Sequence, residues 1–208
     1  MRTPTHKPVP APEGSSHRSS PIADNRIFRI QVDPGSPEGS PPDERILLCR
    51  RGIEPRVGKW GFPQGFMELG ETSREGAARE GLEESGATIV PGPLLSVYNL
   101  PGQVQLLYVS TVNGGTVDES GVHHPPAVHT DGTESLEAGY FTYEEVREKR
   151  AEDELAFPTV WWAIDYWKAN YSYETAGGTD GSSRPVQPQQ RTKRWPPVEG
   201  EPEFIEEI

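Results

Sequence analysis

Gly65-Phe-Met-Glu-Leu-Gly-Glu71-Thr-Ser-Arg-Glu-Gly-Ala-Ala-Arg79-Glu80-Gly-Leu-Glu83-Glu84-Ser-Gly86-Ala87 carries the densest pattern in the chain. Thr72 followed three residues later by Glu75 is a capping box, which starts a helix. Gly86 stops that helix after Ser85. At about 100° per residue, Glu84 lies about 40° to one side of Glu80 and Glu83 about 60° to the other. These carboxylates therefore crowd one face, while Leu82 and Ala78 fall opposite and are expected to face the core. Carboxylates so close repel one another unless a cation sits between them. Hard divalent ions with an oxygen preference suit that place. A solvated acidic face is the alternative reading of the three glutamates alone. Arg79 stands beside the cluster, where its fork can hold a carboxylate. The Gly-rich loop upstream offers free backbone carbonyls and amides near a helix start, a place for metal and phosphate. Gly76 and Gly81 each cost about 1 kcal/mol relative to Ala inside a helix, which implies either close packing or simple tolerance.

Outward from this helix the pattern alternates between strands and connections. Arg26–Val32 and Arg45–Arg50 read as strands before it. Leu94–Tyr98, Val104–Val112 and Ser135–Thr142 read as strands after it. A turn-rich loop spans 33–43 and a polar loop spans 113–133. Tyr143–Lys149 is a short helix, and Pro158 sits in the first turn of a closing one. On that last helix Val160, Ala163, Ile164 and Trp167 make an apolar stripe for the core. The chain divides into a disordered tail over 1–23, one domain over 24–172 and a low-complexity tail over 173–208.

Composition supports that division. Of 208 residues, 22 are Gly and 22 are Pro, close to twice the usual share, and the prolines concentrate in the tails and long loops. The net charge is −12, nearly all of it on the domain. So acidic a surface repels a phosphate backbone and excludes non-specific nucleic-acid binding. It leaves room for a small phosphate substrate with a cation to offset local carboxylates. No apolar run approaches the ~18–20 residues of a membrane span. The N-terminus lacks the apolar stretch of a secretory signal. The expectation is an intracellular, cytoplasmic chain, with chloroplast or mitochondrial targeting as the alternative. The single cysteine, Cys49, reads as a buried small hydrophobe. His123, His124 and His129 share the 113–133 loop without metal-ligand spacing.

The fixed positions Gly65, Glu71, Arg79, Glu80, Glu83, Glu84 and Gly86 match the Nudix box, and the chain resembles a Nudix hydrolase. Gly81 departs from the bulky aliphatic residue usual there. Trp60-Gly-Phe-Pro63 is similar to the lead-in of many members. Gly102-Gln-Val104, Glu134-Ser-Leu-Glu137 and Leu155-Ala-Phe-Pro-Thr-Val160 resemble the branch that cleaves ADP-ribose and FAD, nearest to plant chloroplast enzymes of the Nudix 23 type. The zinc ribbon common in that branch has no cysteines here. Pro63-Gln64-Gly65 is similar to dinucleoside-polyphosphate and RNA-pyrophosphate hydrolases.

The resemblance implies an α/β/α sandwich on a mixed sheet and a pyrophosphohydrolase dependent on Mg²⁺ or Mn²⁺. Glu80 and Glu84 would bind the metal, with the carbonyl of Gln64 or Gly65 completing the set. Glu83 would bind a further ion or deprotonate water, and Glu71 and Arg79 would orient the carboxylates. Glu134, with Glu137 second, is the alternative base. Arg50 or Arg51 would contact substrate phosphate, with a rim charge the alternative. Trp60 would stack on a base, with a core position the alternative, and Gln103 would line the substrate site. Homodimers are common in that branch. A catalytically silent nucleotide-binding module is the remaining alternative.

Overall fold

The computed structural model describes residues 24–29, 44–119, 123–170, 188–193 and 204–207. The expected 1–23 tail, the end of the expected 26–32 strand and the expected 33–43 loop lie outside the described residues, as does most of 173–208. Fourteen elements follow in chain order: β1 Asp24–Arg29, β2 Ile46–Arg51, β3 Trp60–Gly61, β4 Gln64–Phe66, α1 Ser73–Ser85, β5 Ile89–Leu100, β6 Gln103–Val112, β7 Thr116–Val117, β8 His123–His124, β9 Ser135–Phe141, α2 Tyr143–Ala151, α3 Pro158–Asn170, β10 Gln189–Lys193 and β11 Phe204–Glu207.

Strand β2 shows why the molecule has layers. Its alternating side chains split between two cores. Ile46 and Leu48 join Trp60, Phe62, Leu95, Leu107, Val160, Ile164 and Trp167 on the side of α2 and α3. Leu47 joins Ala77, Ile89, Tyr108 and Val112 on the side of α1. Strand β6 repeats the split with Leu107 and Tyr108. The result is the expected α/β/α sandwich. Burying a side chain such as Ile46 or Leu48 fully contributes about 1.5–3 kcal/mol.

The expected single sheet is divided, among the described residues, into two main sheets and a short β7–β8 ribbon. A six-stranded mixed sheet runs β11-β10-β5-β6-β1-β4, and a three-stranded antiparallel sheet runs β3-β2-β9. Pro63 lies between them. The chain leaves the β2 ladder at Gly61 and joins the β1 ladder at Gln64, and a proline has no N–H with which to continue either. The segment 60–66 therefore stitches the sheets together directly under α1.

Differences from the sequence expectation are local. The 113–133 loop contains the short ribbon β7–β8. Residues 189–193, expected within a low-complexity tail, pair in parallel with β5. Gln-Gln-Arg-Thr-Lys has no apolar alternation, so a strand there leaves no pattern to read. Among the described residues no helix is long and apolar enough to cross a membrane.

Candidate active site

The helix α1 begins with the expected capping box: Thr72 Oγ1 accepts from the Glu75 N–H and the Glu75 side chain accepts from the Thr72 N–H. It ends at Gly86, at φ 68°, whose N–H donates to the Leu82 carbonyl at 2.8 Å. The His129 N–H caps a second carbonyl, that of Ser85, at 2.9 Å. The Cys49 thiol, buried as expected, donates to the Glu84 carbonyl at 3.6 Å and ties the helix to β2.

The face that α1 buries is not the expected one. Gly76, Ala77, Glu80, Gly81, Glu84 and Ser85 are buried, while Leu82 is 52% exposed and Ala78 half-buried. The helix packs on β1, β4, β5 and β9 with its acidic side inward. Gly76 and Gly81 lie on that inward side, consistent with close packing. A β-carbon at Gly65 would overlap the Glu80 carboxylate, so only glycine leaves that carboxylate its place.

Arg79 organises the acids. Its Nε and Nη2 donate to the two Glu71 oxygens at 3.1 and 2.8 Å. Its Nη1 donates to Glu80 at 2.6 Å and to Glu83 at 3.0 Å, and its Nη2 also reaches the Phe66 carbonyl at 3.0 Å. The hydrogen-bonded guanidinium holds the Glu71 carboxyl below its ordinary range, and the same bonds raise the affinity of Arg79 for its own proton. Although Arg51 pulls on it at a distance, Glu84 has no bonded cation among the described residues. Its Oε2 accepts only the Gln64 N–H, at 3.0 Å. Burial, reinforced by Glu80 and Glu134, pushes its carboxyl up to about 8. Burial also raises Glu80, against the pull of Arg79.

A cleft of about 1130 Å³ opens over these residues. At one end stand Glu80, Glu84, Glu134, Gln64 and Gly65. Leu100, Phe157, Pro158 and Trp162 supply an apolar wall, and Gln103 and Gln105 add amides to the lining. Arg51 also lines the cleft. Its Nε donates to the Pro55 carbonyl at 2.8 Å, and its guanidinium lies 5.2 Å from the Phe157 ring centre.

The structure thus brings together Gly65, Glu80, Glu84, Glu134, Arg51, Arg79 and Gln103. Glu71 and Glu83 reach the site through Arg79, and the Glu83 side chain is 58% exposed. Two sequence assignments are corrected. Arg50 sits outside the cleft, its Nε donating to Gly58 and its Nη1 3.8 Å from Glu137, because neighbouring strand residues point to opposite faces. Trp60 is core, packed edge-on to Phe141 at 4.9 Å, and does not line the cleft. Sequence reasoning missed Phe157 and Trp162. Phe157 precedes α3 and Trp162 falls off its apolar stripe, and only the tertiary fold gives them a role.

The acidic end fits a divalent cation. Of its two buried carboxylates, Glu80 shares the Arg79 guanidinium with Glu71 and Glu83, and Glu84 has only a backbone N–H from Gln64 among the described residues. The Gln64 Oε1 is buried and has no hydrogen-bond partner among the described residues. No three acidic, His or Cys side chains converge as a complete cage among the described residues. Mg²⁺ does not need one, since it keeps waters and takes one or two carboxylates plus substrate phosphates.

The NUDIX domain model matches residues 40–160. The chain belongs to the Nudix family. Its box is the stretch 65–87, and the loop and helix that carry the box are the ones that form the acidic end of the cleft. The chain is 35% identical over 79 residues to an ADP-ribose pyrophosphatase of Methanocaldococcus jannaschii, covering 35% of this chain and 47% of that protein. It is 33% identical over 112 residues to a MutT-like protein of Streptomyces ambofaciens, covering 53% and 63%. The matches therefore span about half to two thirds of these relatives. A Nudix hydrolase structure from Nitrosomonas europaea is 30% identical, with a TM-score of 0.51 over 78% of this chain and 76% of that one. These three relatives are archaeal and bacterial; none is a plant chloroplast enzyme.

A pH prediction follows for this Nudix domain without metal. Glu84 keeps its proton up to about 8, whereas an unfolded glutamate loses it near 4.5. Between those values the folded state binds more protons, so stability falls as pH rises. The thermal midpoint of the metal-free protein is expected to drop by several degrees between about pH 6 and about pH 8. Glu84→Gln should flatten most of that drop. A wild-type midpoint constant over this range in calorimetry would contradict the assignment.

Proposed function

We propose that this Nudix domain is a pyrophosphohydrolase that uses Mg²⁺ or Mn²⁺. Its substrate is a nucleoside diphosphate linked to another moiety, ADP-ribose first and FAD second, and AMP is released. The observation that carries this reading is one cleft with a buried carboxylate pair at one end and an aromatic wall beside it. The first end suits the metal-bridged diphosphate and the wall suits a base. The relative named ADP-ribose pyrophosphatase supports the choice of substrate.

The residues divide the work by position. Glu80 and Glu84 would hold the cation, with the backbone carbonyl of Gln64 or Gly65. When bound, a divalent ion lowers the pKa of water and offsets charge on the diphosphate. Glu134 lines the cleft within electrostatic reach of Glu80 and Glu84, where it can take a proton from the attacking water. Glu83 lies tethered to Arg79 at the rim, suited to a further ion or to proton transfer at the edge of the site. Arg51 spends its Nε on Pro55, which leaves its Nη groups for a substrate phosphate. Gln103 lines the same cleft as a polar contact for the substrate. Glu71 acts through Arg79.

The second reading, a dinucleoside polyphosphate or an RNA 5′-pyrophosphate, rests on Pro63-Gln64-Gly65. The net charge of −12 favours the small nucleotide over a long RNA. A panel of ADP-ribose, FAD, diadenosine tetraphosphate and 5′-triphosphorylated RNA separates them, with Mg²⁺, Mn²⁺ or chelator and products resolved by chromatography. The expected result is AMP and ribose 5-phosphate from ADP-ribose, only with metal. Preferred turnover of RNA would replace this reading with the second, and no turnover of any substrate would leave a silent binding module.

A further inference from the structure

A second groove, of about 280 Å³, adjoins the cleft and shares Phe157, Pro158 and Trp162 with it. Its own lining adds Arg56 from the β2–β3 loop, Arg150 from α2, Asp153 just after α2 and Trp161 from α3. The charge balance there is unlike that of the rest of the molecule. In a chain of net charge −12, Arg45, Arg50, Lys59, Arg79, Arg147 and Lys149 each have a carboxylate oxygen within 3.9 Å. Arg56 and Arg150 have none among the described residues. The carboxylate in the lining, that of Asp153, lies 3.3 Å from Lys59. Two guanidiniums without a counter-charge of their own therefore line one small groove.

Both arginines are held by contacts that leave their side-chain donors unspent. The Arg150 guanidinium lies over the Trp161 ring, 4.4 Å from its centre, and Tyr143 packs on that ring at 5.6 Å. A guanidinium over a ring keeps the N–H groups in its own plane for another partner. Arg56 sits in the left-handed region at φ 70°, which residues with a β-carbon rarely adopt. Its backbone is fixed on both sides. The N–H donates to Glu54 Oε2 at 3.1 Å, and the carbonyl accepts the Lys59 N–H at 3.2 Å. Pro158 opens α3 on the wall of the groove, so the positive end of that helix dipole adds to the same field.

We propose that Arg56 and Arg150 form an anion site for a phosphate monoester, separate from the acidic end of the cleft. Neither arginine lines the cleft itself. Charge and geometry select phosphate. At pH 7 a monoester carries roughly −1.5 to −2 charges and three acceptor oxygens, which two guanidiniums match in charge and in paired donors. A carboxylate brings a single charge and fewer oxygens. The groove is smaller than the ~300 Å³ at which pockets begin to enclose whole small molecules. It therefore takes one group, either a free phosphate or the phosphate end of a longer ligand.

Titration of the metal-free full chain with inorganic phosphate at constant ionic strength, followed by proton–nitrogen correlation spectra, tests this. The reporter is the Trp161 indole N–H, because Trp161 lines the groove and not the cleft. It is expected to shift saturably with phosphate, and acetate should bind at least about threefold more weakly. Arg56→Gln and Arg150→Gln should each weaken phosphate by about threefold, and the double variant should lose saturation. Arg150→Lys should stay closer to wild type than Arg150→Gln. The Arg56 side chain makes no hydrogen bond or ion pair among the described residues, so its variant tests the site without disturbing Trp161. No saturable shift in the wild type overturns the proposal, as does equal binding by the double variant or acetate binding as tightly as phosphate. AMP and adenosine 3′,5′-bisphosphate, added with Mg²⁺, then separate the two sources. A phosphate end reaching over from the cleft makes the bisphosphate shift Trp161 at about tenfold lower concentration than AMP or inorganic phosphate. A site for free phosphate leaves both nucleotides no better than inorganic phosphate. The first titration uses neither metal nor nucleotide, so its outcome is independent of the hydrolase reading.

Discussion

Glu84→Gln is expected to reduce hydrolysis by about 10³-fold, equivalent to roughly 4 kcal/mol of transition-state stabilisation, while the metal-free fold becomes no less stable. The two halves come from one geometry. Glu84 is buried, close enough to Glu80 and Glu134 for repulsion, and held by a single backbone N–H from Gln64. An amide keeps that hydrogen bond through its oxygen and cannot ionise, so it carries none of the cost that burial puts on the charged form above about pH 8. It also removes the anionic ligand, so the site loses its hold on the cation. Steady-state kinetics beside thermal unfolding checks both halves. A variant that unfolds more easily without metal would show that Glu84 is a structural partner, and full activity would show that it is not a ligand.

Arg79→Ala is expected to act in the opposite way on stability. It strips the counter-charge from Glu71 and Glu80, both largely buried, and leaves the Phe66 carbonyl without its donor. Removing one partner of a buried ion pair costs about 3–5 kcal/mol, whereas the exposed Glu83 arm adds little. A loss of about 2–4 kcal/mol in denaturant unfolding is the expected result, with activity falling as Glu80 loses its orientation. Arg79→Lys should not rescue it. An ammonium cannot place donors on both Glu71 oxygens and on Glu80 and Glu83 together. Wild-type stability in Arg79→Lys would contradict the idea that the planar fork is what matters.

The sequence made α1 legible because its signals are local. The capping box, the Gly86 stop and the spacing of the glutamates all survive folding. The side of the helix that turns inward is the opposite of the one its sequence predicts, and the reason is physical. Polar faces ordinarily meet water, so Leu82 is expected inside and the glutamates outside. Here the acidic face is the buried one, which is the kind of violation that functional sites carry. Strands β2, β6 and β9 are legible from their alternation, whereas β3, β4, β7 and β8 are too short to show any and β5 extends beyond the 94–98 pattern; the division between the two main sheets depends on Pro63, a single residue whose effect is visible only when both ladders are present. Trp60 and Arg50 carried the right chemistry in the wrong place, since their partners Phe141 and Glu137 come from β9, far along the chain. Arg56 and Arg150 carried no signal at all. Their groove joins two segments of ordinary sequence, and only the fold brings the β2–β3 loop beside α2 and α3.

The central claim is that Glu80 and Glu84 form a divalent-cation site beneath the cleft. Titration of Mn²⁺ into the metal-free protein, with free ion followed by electron paramagnetic resonance, tests it most directly. The wild type is expected to bind saturably, and Glu84→Gln to weaken that binding by at least about tenfold. Equal binding by the two proteins, or none by the wild type, would contradict it.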